Sequence, residues 1–256
     1  MGLPQFSPAW AAWSAPRRRR ELPAPCYLWS TPGVKPRQVR QLPTLTEELA
    51  LWQAGYARVA GIDEAGRGAW AGPVVAAAVV LPVDPAVASR LAGVADSKQM
   101  TARQRERLFT VIVQEAVAWG VGVLSAREID AQGIAAANRS AMAAAAASLS
   151  QPPDFLLIDY FRLPGLATPQ RSLAKGDSKV LSIAAASVVA KVTRDRLMVE
   201  LSACHAGYGF EQHKGYGTAQ HQLALRQQGP CREHRMSFQP VAGAQLALFG
   251  AEDGHG

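Results

Sequence analysis

Four acidic residues at the ends of apolar, strand-like runs constrain the fold of this chain more than any other feature. They are Asp63, Glu64, Asp159 and Asp177. A carboxylate at the point where a buried strand emerges is costly to desolvate unless a cation meets it. Converging carboxylates are the ligands that hard divalent cations such as Mg²⁺ and Mn²⁺ prefer. The sequence therefore predicts a fold that brings these distant acids together at a metal site.

Apolar periodicity predicts a mixed sheet flanked by helices, because three early strands are followed by strands that alternate with helices. The predicted strands cover residues 58–63, 73–81, 119–125, 155–159 and 170–174. The predicted helices cover residues 44–56, a segment that begins after 101, residues 134–149 and 178–202, and a last segment that ends at 228. Capping-box spacing marks the first two helix starts, with Thr44 before Glu47 and Thr101 before Gln104.

Composition narrows the setting of the chain. Its formal charge of +7 favours an anionic partner, although many proteins with this balance never contact nucleic acid. Three widely spaced cysteines lack the pairing of a zinc site or a disulfide framework, which indicates a reducing compartment. The first residues do not have the order of a secretory signal, and the apolar runs are too short to span a bilayer. We expect a monomeric cytoplasmic protein that does not bind membranes.

The two ends of the chain differ from its middle. Residues 1–43 contain many prolines, four consecutive arginines and no sustained apolar period, so we predict a disordered basic extension there. A solvated extension is a simpler interpretation than nonspecific nucleic-acid contact through its arginines and tryptophans. We predict a catalytic domain over residues 44–240 and a flexible tail over residues 241–256.

Six motifs, in order, resemble the ribonuclease HII family. They are Gly-Ile-Asp-Glu-Ala-Gly-Arg-Gly from Gly61 with Ala-Gly-Pro from Ala71, Asp-Ser-Lys from Asp96, the Ala-Asn-Arg-Ser around Asn138, Lys-Gly-Asp from Lys175 followed by Ser-Ile-Ala-Ala-Ala-Ser and Ala-Lys-Val, His-Lys-Gly-Tyr-Gly-Thr from His213, and His-Arg-Met-Ser-Phe from His234. The resemblance covers about residues 59–240. It implies an α/β, ribonuclease H-like fold with a mixed five-stranded sheet flanked by helices and a helical C-terminal part.

The resemblance also implies an activity. The family cleaves the RNA strand of RNA–DNA hybrids, including 5′ of a single ribonucleotide in duplex DNA, and leaves a 3′-hydroxyl and a 5′-phosphate. Its role is to remove ribonucleotides during DNA replication and repair. We therefore expect RNA–DNA hybrids and ribonucleotide-containing duplex DNA as the macromolecular partners of this chain.

By the same resemblance, the four acids are catalytic and bind two divalent ions, Mn²⁺ or Mg²⁺. Two such ions can activate the attacking water and stabilise the leaving oxygen of an in-line displacement. Each acid taken alone could instead be a helix cap or a surface carboxylate, and for Asp177, ahead of a helix, an N-cap is the first interpretation. Asp63 and Glu64 are neighbours in a strand, so their side chains diverge, and the side chain of Glu64 has the least certain role.

Recognition of the ribonucleotide is assigned by the resemblance to the loop Gly66-Arg67-Gly68 and to Tyr216, whose ring would stack on a sugar. Glycine lets backbone amides approach a 2′-hydroxyl, the group that distinguishes RNA from DNA. A tight turn and ordinary aromatic packing are the alternative interpretations.

Three further residues are candidates for substrate contacts. Ser187 and Lys191 are four positions apart on a predicted helix and so share one face, where they could meet phosphates. Lys214 lies beside a histidine in the glycine-rich segment and could help to hold substrate. Packing of an alanine-rich helix face is an equal alternative for the two helical residues.

Two residues next to expected metal ligands depart from the family pattern. Tyr160 follows Asp159 where the family usually has glycine, and Val180 stands where a small polar residue is common. We expect these departures to alter loop shape or rate without abolishing activity. Asp96 is expected to anchor a turn and not to bind metal.

The segment from Gln245 to Phe249 resembles the short peptide with which bacterial replication and repair proteins dock on the sliding clamp. Its contact residues would be Gln245, Leu246, Leu248 and Phe249. An apolar peptide seated in a groove is a recurrent binding mode. Packing of this segment on its own domain is the alternative.

Three functions compete at this point. A metal-dependent endoribonuclease needs all four acids, and all four are present. A catalytically silent hybrid-binding module would lack at least one of them, and a recruitment protein would depend on its tail more than on its acids. The related ribonuclease HIII carries a folded N-terminal domain, which residues 1–43 do not resemble. The sequence therefore favours a ribonuclease of the HII type.

Overall fold

The computed structural model describes the backbone of residues 42–249 and the side chains of residues 42–244, all within one compact unit. Apart from Leu42 and Pro43, the predicted N-terminal extension lies outside the described residues. The strands are β1 (Val59–Ala65), β2 (Val74–Val80), β3 (Ala118–Leu124), β4 (Phe155–Asp159) and β5 (Gln170–Leu173). The helices are α1 (Thr46–Gln53), α2 (Val87–Arg90), α3 (Ala102–Glu115), α4 (Ala126–Gln132), α5 (Ile134–Ala147), α6 (Leu181–Cys204), α7 (Phe210–His213), α8 (Ala219–Gln228) and α9 (Gln239–Phe249).

The five strands form one mixed sheet in the order β3-β2-β1-β4-β5, as the resemblance implied. β1 is central, antiparallel to β2 and parallel to β4. In the parallel pair Ile62 lies opposite Ile158. Because the two strands run in the same direction, the next residues, Asp63 and Asp159, emerge side by side at the carboxyl edge of the sheet.

Helices cover both faces of the sheet. The face with Ala77 and Val79 packs against α6, and the face with Ala60 and Ile62 packs against α5. Close approach of α6 depends on Gly61, since a Cβ there would lie 2.2 Å from the backbone carbon of Ser182. The alanine-rich helices are therefore core elements that sandwich the strand carrying the first two acids. No helix in the described part of the chain has the length and apolarity needed to cross a membrane.

Most predicted elements are present, and the predicted strands match within two residues at each end. The capping box of Thr101 and Gln104 forms at the start of α3. The one predicted for Thr44 and Glu47 is wrong, because α1 begins at Thr46 and the Thr44 backbone instead bonds to residues 179 and 181. Helix α4, capped by Ser125, was not predicted.

The C-terminal boundary also differs from the prediction. Residues 239–249 form helix α9, and Val241 is fully buried among core residues of α8 and the preceding loop. The flexible tail predicted from residue 241 is therefore helical up to Phe249, because this helix adds an apolar side chain to the C-terminal core. Side chains from residue 245 onwards lie outside the described part.

Candidate active site

The four predicted acids occupy neighbouring positions at one edge of the sheet. Asp63 and Glu64 lie near the end of β1, Asp159 ends β4, and Asp177 lies in the short 3₁₀ turn before α6. The Gly176 amide donates a 2.7 Å hydrogen bond to Oδ1 of Asp159. This bond holds the turn that carries Asp177 against the end of β4, so segments distant in sequence meet here.

Asp63 and Glu64 point to opposite faces of the sheet, as adjacent strand residues must. The Asp63 carboxylate interacts with Ser187 on α6, whereas the Glu64 carboxylate faces Asn138 on α5. Among the described residues, no three histidine, cysteine, aspartate or glutamate side chains are already close enough to enclose one ion. The acids thus lie around a common edge without meeting at a single point.

Burial raises the pKa of every one of these acids, and repulsion from a neighbouring carboxylate adds to the increase. Desolvation raises the pKa of Asp63 well above its ordinary value, and the charges of Glu64 and Asp159 raise it further. Burial followed by repulsion from Asp159 raises the pKa of Glu64. Burial is also the first cause for Asp159, and for Asp177 the charges of Asp96 and Asp159 add to it. The site therefore concentrates negative charge that the protein itself compensates only in part.

Two observations show that these residues fit divalent cations. The Glu64 Oε2 atom is buried and has no hydrogen-bond partner among the described residues. Lys98 lies within the field of Asp63, Asp177, Asp96 and Glu64: partial burial opposes its charge, but these carboxylates outweigh burial and raise its pKa. An orphaned carboxylate oxygen and a lysine drawn into the acid cluster both indicate unsatisfied demand for positive charge.

The Asp96-Ser97-Lys98 motif anchors the turn as expected, because the Asp96 side chain accepts a 2.9 Å hydrogen bond from the Lys98 amide. The interaction of the Lys98 ammonium with the acids was not predicted. Its only sequence signal is membership of a motif, since nothing local indicates that this loop folds over the strand ends.

Next to the acids, the loop from Gly66 to Gly72 is held by two arginines that sequence reasoning missed. Arg194 on α6 is fully buried and donates hydrogen bonds to the carbonyls of Pro73, Lys214 and Ala71 at 2.8, 3.0 and 3.1 Å. Gly66 has a φ of +88°, and a Cβ there would lie 1.8 Å from Nε of Arg194. Only glycine meets both conditions at this position.

Arg235, also fully buried, completes the support from below the loop. Its guanidinium donates to the carbonyls of Gly66, Arg67 and Gly72 at distances of 2.7–3.1 Å. Desolvation, with added repulsion from Arg194, lowers the pKa of Arg235 to about 9. These carbonyls point inward to the arginines, so the outer side of the turn is formed by Arg67 and Gly68, which are exposed. The amides of these two residues donate to no acceptor within the described residues.

Tyr216 lies beside this loop, partly buried. Its ring centroid is 5.2 Å from Cζ of Arg194 and 5.4 Å from Nζ of Lys191. The Tyr216 amide donates to the His213 carbonyl at 3.0 Å, and its own carbonyl accepts from Thr218 at 2.8 Å. The predicted loop and tyrosine are thus brought together on one support.

The other predicted substrate residues have more internal positions. Lys191 is ion-paired with Asp195 at 2.6 Å, and the Lys214 ammonium donates to the carbonyl of Glu211. Ser187 is buried and hydrogen-bonded to Ser97 at 2.8 Å, behind Asp63. This burial favours the packing alternative for Ser187, because the helix face that carries it packs against the sheet, and its phosphate contact stays a prediction.

Comparison with known proteins identifies the family. A family model described as ribonuclease HII matches residues 60–241. The chain is 56% identical over 210 residues to ribonuclease HII from Chloroflexus aurantiacus, an alignment that covers 81% of this chain and 98% of the relative. This chain belongs to the ribonuclease HII family. As a ribonuclease HII, it is an endoribonuclease that cleaves the RNA of RNA–DNA hybrids.

Solved structures of relatives have the same fold. The ribonuclease H2 from Pyrococcus horikoshii is 28% identical with a TM-score of 0.64, covering 75% of this chain and 99% of that one. The ribonuclease HII in a complex with PCNA from Archaeoglobus fulgidus is 27% identical with a TM-score of 0.61, covering 71% of this chain and 95% of that one. The ribonuclease H-like fold expected from the motifs is therefore confirmed.

Proposed function

We propose that Asp63, Glu64, Asp159 and Asp177 are the catalytic acids of this ribonuclease HII and hold two divalent cations, Mn²⁺ or Mg²⁺. The observation that carries the proposal is the unpartnered, buried Oε2 of Glu64 within a group of acids whose pKa values are all raised. Bound at these carboxylates, divalent ions would activate the attacking water and stabilise the leaving 3′-oxygen.

The protein's own groups orient these acids. The Gly176 amide aligns the Asp159 carboxylate from one side, and the Glu64 amide donates to Oδ1 of Asp63 at 2.7 Å. Ser187, held by Ser97, supports Asp63 from α6. Fixed carboxylates of this kind cost little reorganisation when charge develops on the substrate.

We propose that the outward amides of Arg67 and Gly68 and the ring of Tyr216 recognise the ribonucleotide. The inward-turned carbonyls of the loop support this assignment, because the opposite side of the turn then offers donors to a 2′-hydroxyl. Lys191 lies 5.4 Å from the Tyr216 ring, Lys214 lines the same groove, and both would add positive charge near the phosphates. Cleavage 5′ of a single embedded ribonucleotide, with 3′-hydroxyl and 5′-phosphate products, would serve the removal of ribonucleotides from replicated and repaired DNA.

The test is cleavage of a labelled duplex that contains one ribonucleotide, with Mn²⁺, with Mg²⁺ and with a chelator. We expect one cut, 5′ of the ribonucleotide, only when a divalent ion is present. An all-DNA duplex of the same sequence is the control and should stay intact. Cleavage that persists in the chelator would overturn the metal assignment, and cleavage of a long hybrid without cleavage of this duplex would overturn the junction assignment.

We also propose that the segment from Gln245 to Phe249 docks on a sliding clamp. Support comes from its resemblance to clamp-binding peptides and from the PCNA complex formed by the Archaeoglobus relative. Replacing Leu248 and Phe249 by alanine should weaken binding to the bacterial clamp at least tenfold in surface plasmon resonance, while cleavage of short duplexes stays unchanged. Equal clamp affinity of the two proteins would refute the docking site.

A further inference from the structure

Tyr160, the residue directly after Asp159, has a conformation that its position alone does not explain. Its φ is +60°, in the left-handed region that tyrosine rarely adopts, and the residue is 67% exposed. A non-glycine residue in this region costs about 1 kcal/mol or more. The ring buries little surface to offset that cost, whereas glycine would adopt the same backbone freely.

The backbone around Tyr160 is firmly held. Its amide donates to the Leu173 carbonyl at 3.0 Å, and the Phe161 amide donates to the Asp159 carbonyl at 2.6 Å. The Ser172 hydroxyl donates to the Phe161 carbonyl. The strained conformation is therefore fixed by bonds to β5, and the exposed ring projects from a rigid base.

A chain of contacts connects this ring to the acids. The rings of Tyr160 and Phe161 meet edge to face with centroids 5.3 Å apart. The Arg67 guanidinium lies over Phe161, 4.9 Å from its centroid, and is 3.9 Å from Oε1 of Glu64. We call Tyr160, Phe161 and Arg67 the aromatic ledge; it extends from the acids on the side where Glu64 faces α5.

Two more arginines lie close to the aromatic ledge in the chain or on the surface. Arg162, the next residue, and Arg139 on α5 both line a surface groove with Pro164 and Leu166. Neither arginine forms an ion pair with a described acid. A rigid exposed ring next to unpaired arginines is the combination that binds a nucleic-acid strand, through stacking and phosphate neutralisation.

We propose that Tyr160 is a second stacking surface for the nucleic-acid substrate, separate from Tyr216. Tyr216 packs over residues of α6, whereas the ledge leads towards α5. A strand bound along the acids would contact Tyr216 near α6 and Tyr160 near the groove that Arg162 and Arg139 line. The inference rests on hybrid cleavage by this family and does not depend on the proposed metal ligands.

The test compares KM and kcat on a long RNA–DNA hybrid for Tyr160→Ala, Tyr160→Gly and Tyr160→Phe. We expect the alanine and glycine variants to raise KM about five- to tenfold, the loss of one base-stacking contact, with kcat within about twofold of the parent. The phenylalanine variant should retain the parental KM. Tyr160→Gly should also raise the melting temperature by about 2 °C, because it relieves the positive φ.

For Tyr160→Gly a stacking role predicts a higher KM together with a higher melting temperature. A purely structural role of Tyr160 would instead raise KM and lower the melting temperature. Trp119→Ala is the matched control, since Trp119 is an exposed aromatic residue on β3, at the other edge of the sheet. That variant should keep the parental KM. An unchanged KM for both Tyr160→Ala and Tyr160→Gly would overturn the proposal, whereas a parent that cannot cleave the hybrid would contradict the activity itself.

Discussion

Two regions of the molecule compensate buried charge in opposite ways. One is the carboxylate edge, the edge of the sheet that carries the four acids, and the other is the pair of arginines beneath the loop that begins at Gly66. At the carboxylate edge, four acids lie partly or fully buried, and one carboxylate oxygen has no partner. Below the loop, Arg194 and Arg235 are fully buried without an ion-pair partner among the described acids, yet their guanidiniums are bonded to backbone carbonyls. The acids need charge from outside the protein, and the arginines do not.

This difference indicates which region is reactive and which is structural. Buried polar groups that have partners stabilise one conformation, whereas uncompensated charges mark sites that act on something else. The two regions also share a boundary, because Arg235 holds the carbonyl of Arg67, whose side chain approaches Glu64. The stable loop therefore holds the proposed substrate-recognition groups next to the acids.

The largest effect is expected from Asp159→Asn. Removing one charge from the acid edge should lower kcat by about a hundredfold or more, since divalent ions bound there would supply several kcal/mol of transition-state stabilisation. Folding and hybrid binding should persist. Single-turnover cleavage with Mg²⁺ measures the loss, and Asp84→Asn, an exposed aspartate paired with Arg90, is the matched control. Retained turnover would remove Asp159 from the metal ligands.

Breaking the loop support should cost stability instead. Arg235→Met removes the guanidinium hydrogen bonds to three carbonyls below the loop and leaves those of Arg67 and Gly72 without a donor, so we expect the free energy of unfolding to fall by about 3 kcal/mol. Urea denaturation measures this change. Arg196→Met, which removes an exposed arginine paired with Glu106, should cost less than about 1 kcal/mol. Equal costs for the two arginines would show that carbonyl bonding does not hold the loop.

Acid should destabilise the C-terminal part of the structure through a buried histidine pair. Nε2 atoms of His221 and His234 lie 2.9 Å apart, and burial is the first cause that lowers both pKa values from 6.5 to about 4. His213, stacked on His221, and repulsion within the pair add to this effect.

The direction of this pH dependence follows from the difference in proton binding between the folded and the unfolded chain. Between pH 6.5 and about 4 these histidines are protonated in the unfolded chain but stay neutral in the folded one. Their contribution to the free energy of unfolding is therefore full above pH 6.5 and is lost as the pH falls towards 4. Each histidine alone would lower the free energy of unfolding by about 3 kcal/mol over this pH range, and we expect a decrease of about that size for the coupled pair. Urea midpoints from pH 7 to 4 should show a smaller decrease for His221→Gln. The same decrease in both proteins would contradict this assignment.

The smallest effect is expected from Tyr216, the residue that we propose to contact the ribonucleotide beside the glycine loop. Tyr216→Ala should lower kcat/KM about tenfold on a duplex with one ribonucleotide and about threefold on a long hybrid, because a continuous hybrid offers many cleavage positions. Parallel assays on the two substrates measure the ratio, with Tyr216→Phe as the control. Equal losses on both substrates would remove the junction-sensing role.

Much of the fold follows from local pattern. Apolar runs predicted all five strands, and the capping residues of α3 predicted its start. The wrong helix cap has a local cause as well, because Thr44 bonds to the start of α6 instead of capping α1. Ser187 lies in the first half of α6, where residues 181–190 are all buried. An all-round apolar helix gives no signal of which residues reach solvent.

The sequence by itself determined the family and the five strands, because strand periodicity and the spacing within each motif are short-range features of the chain. Only the tertiary structure decided that Asp63 and Glu64 face opposite helices, that Lys98 joins the acids, and that two arginines support the glycine loop. The physical reason is that backbone carbonyls occur at every residue. A guanidinium's choice among them leaves no pattern in the sequence and is set by packing alone.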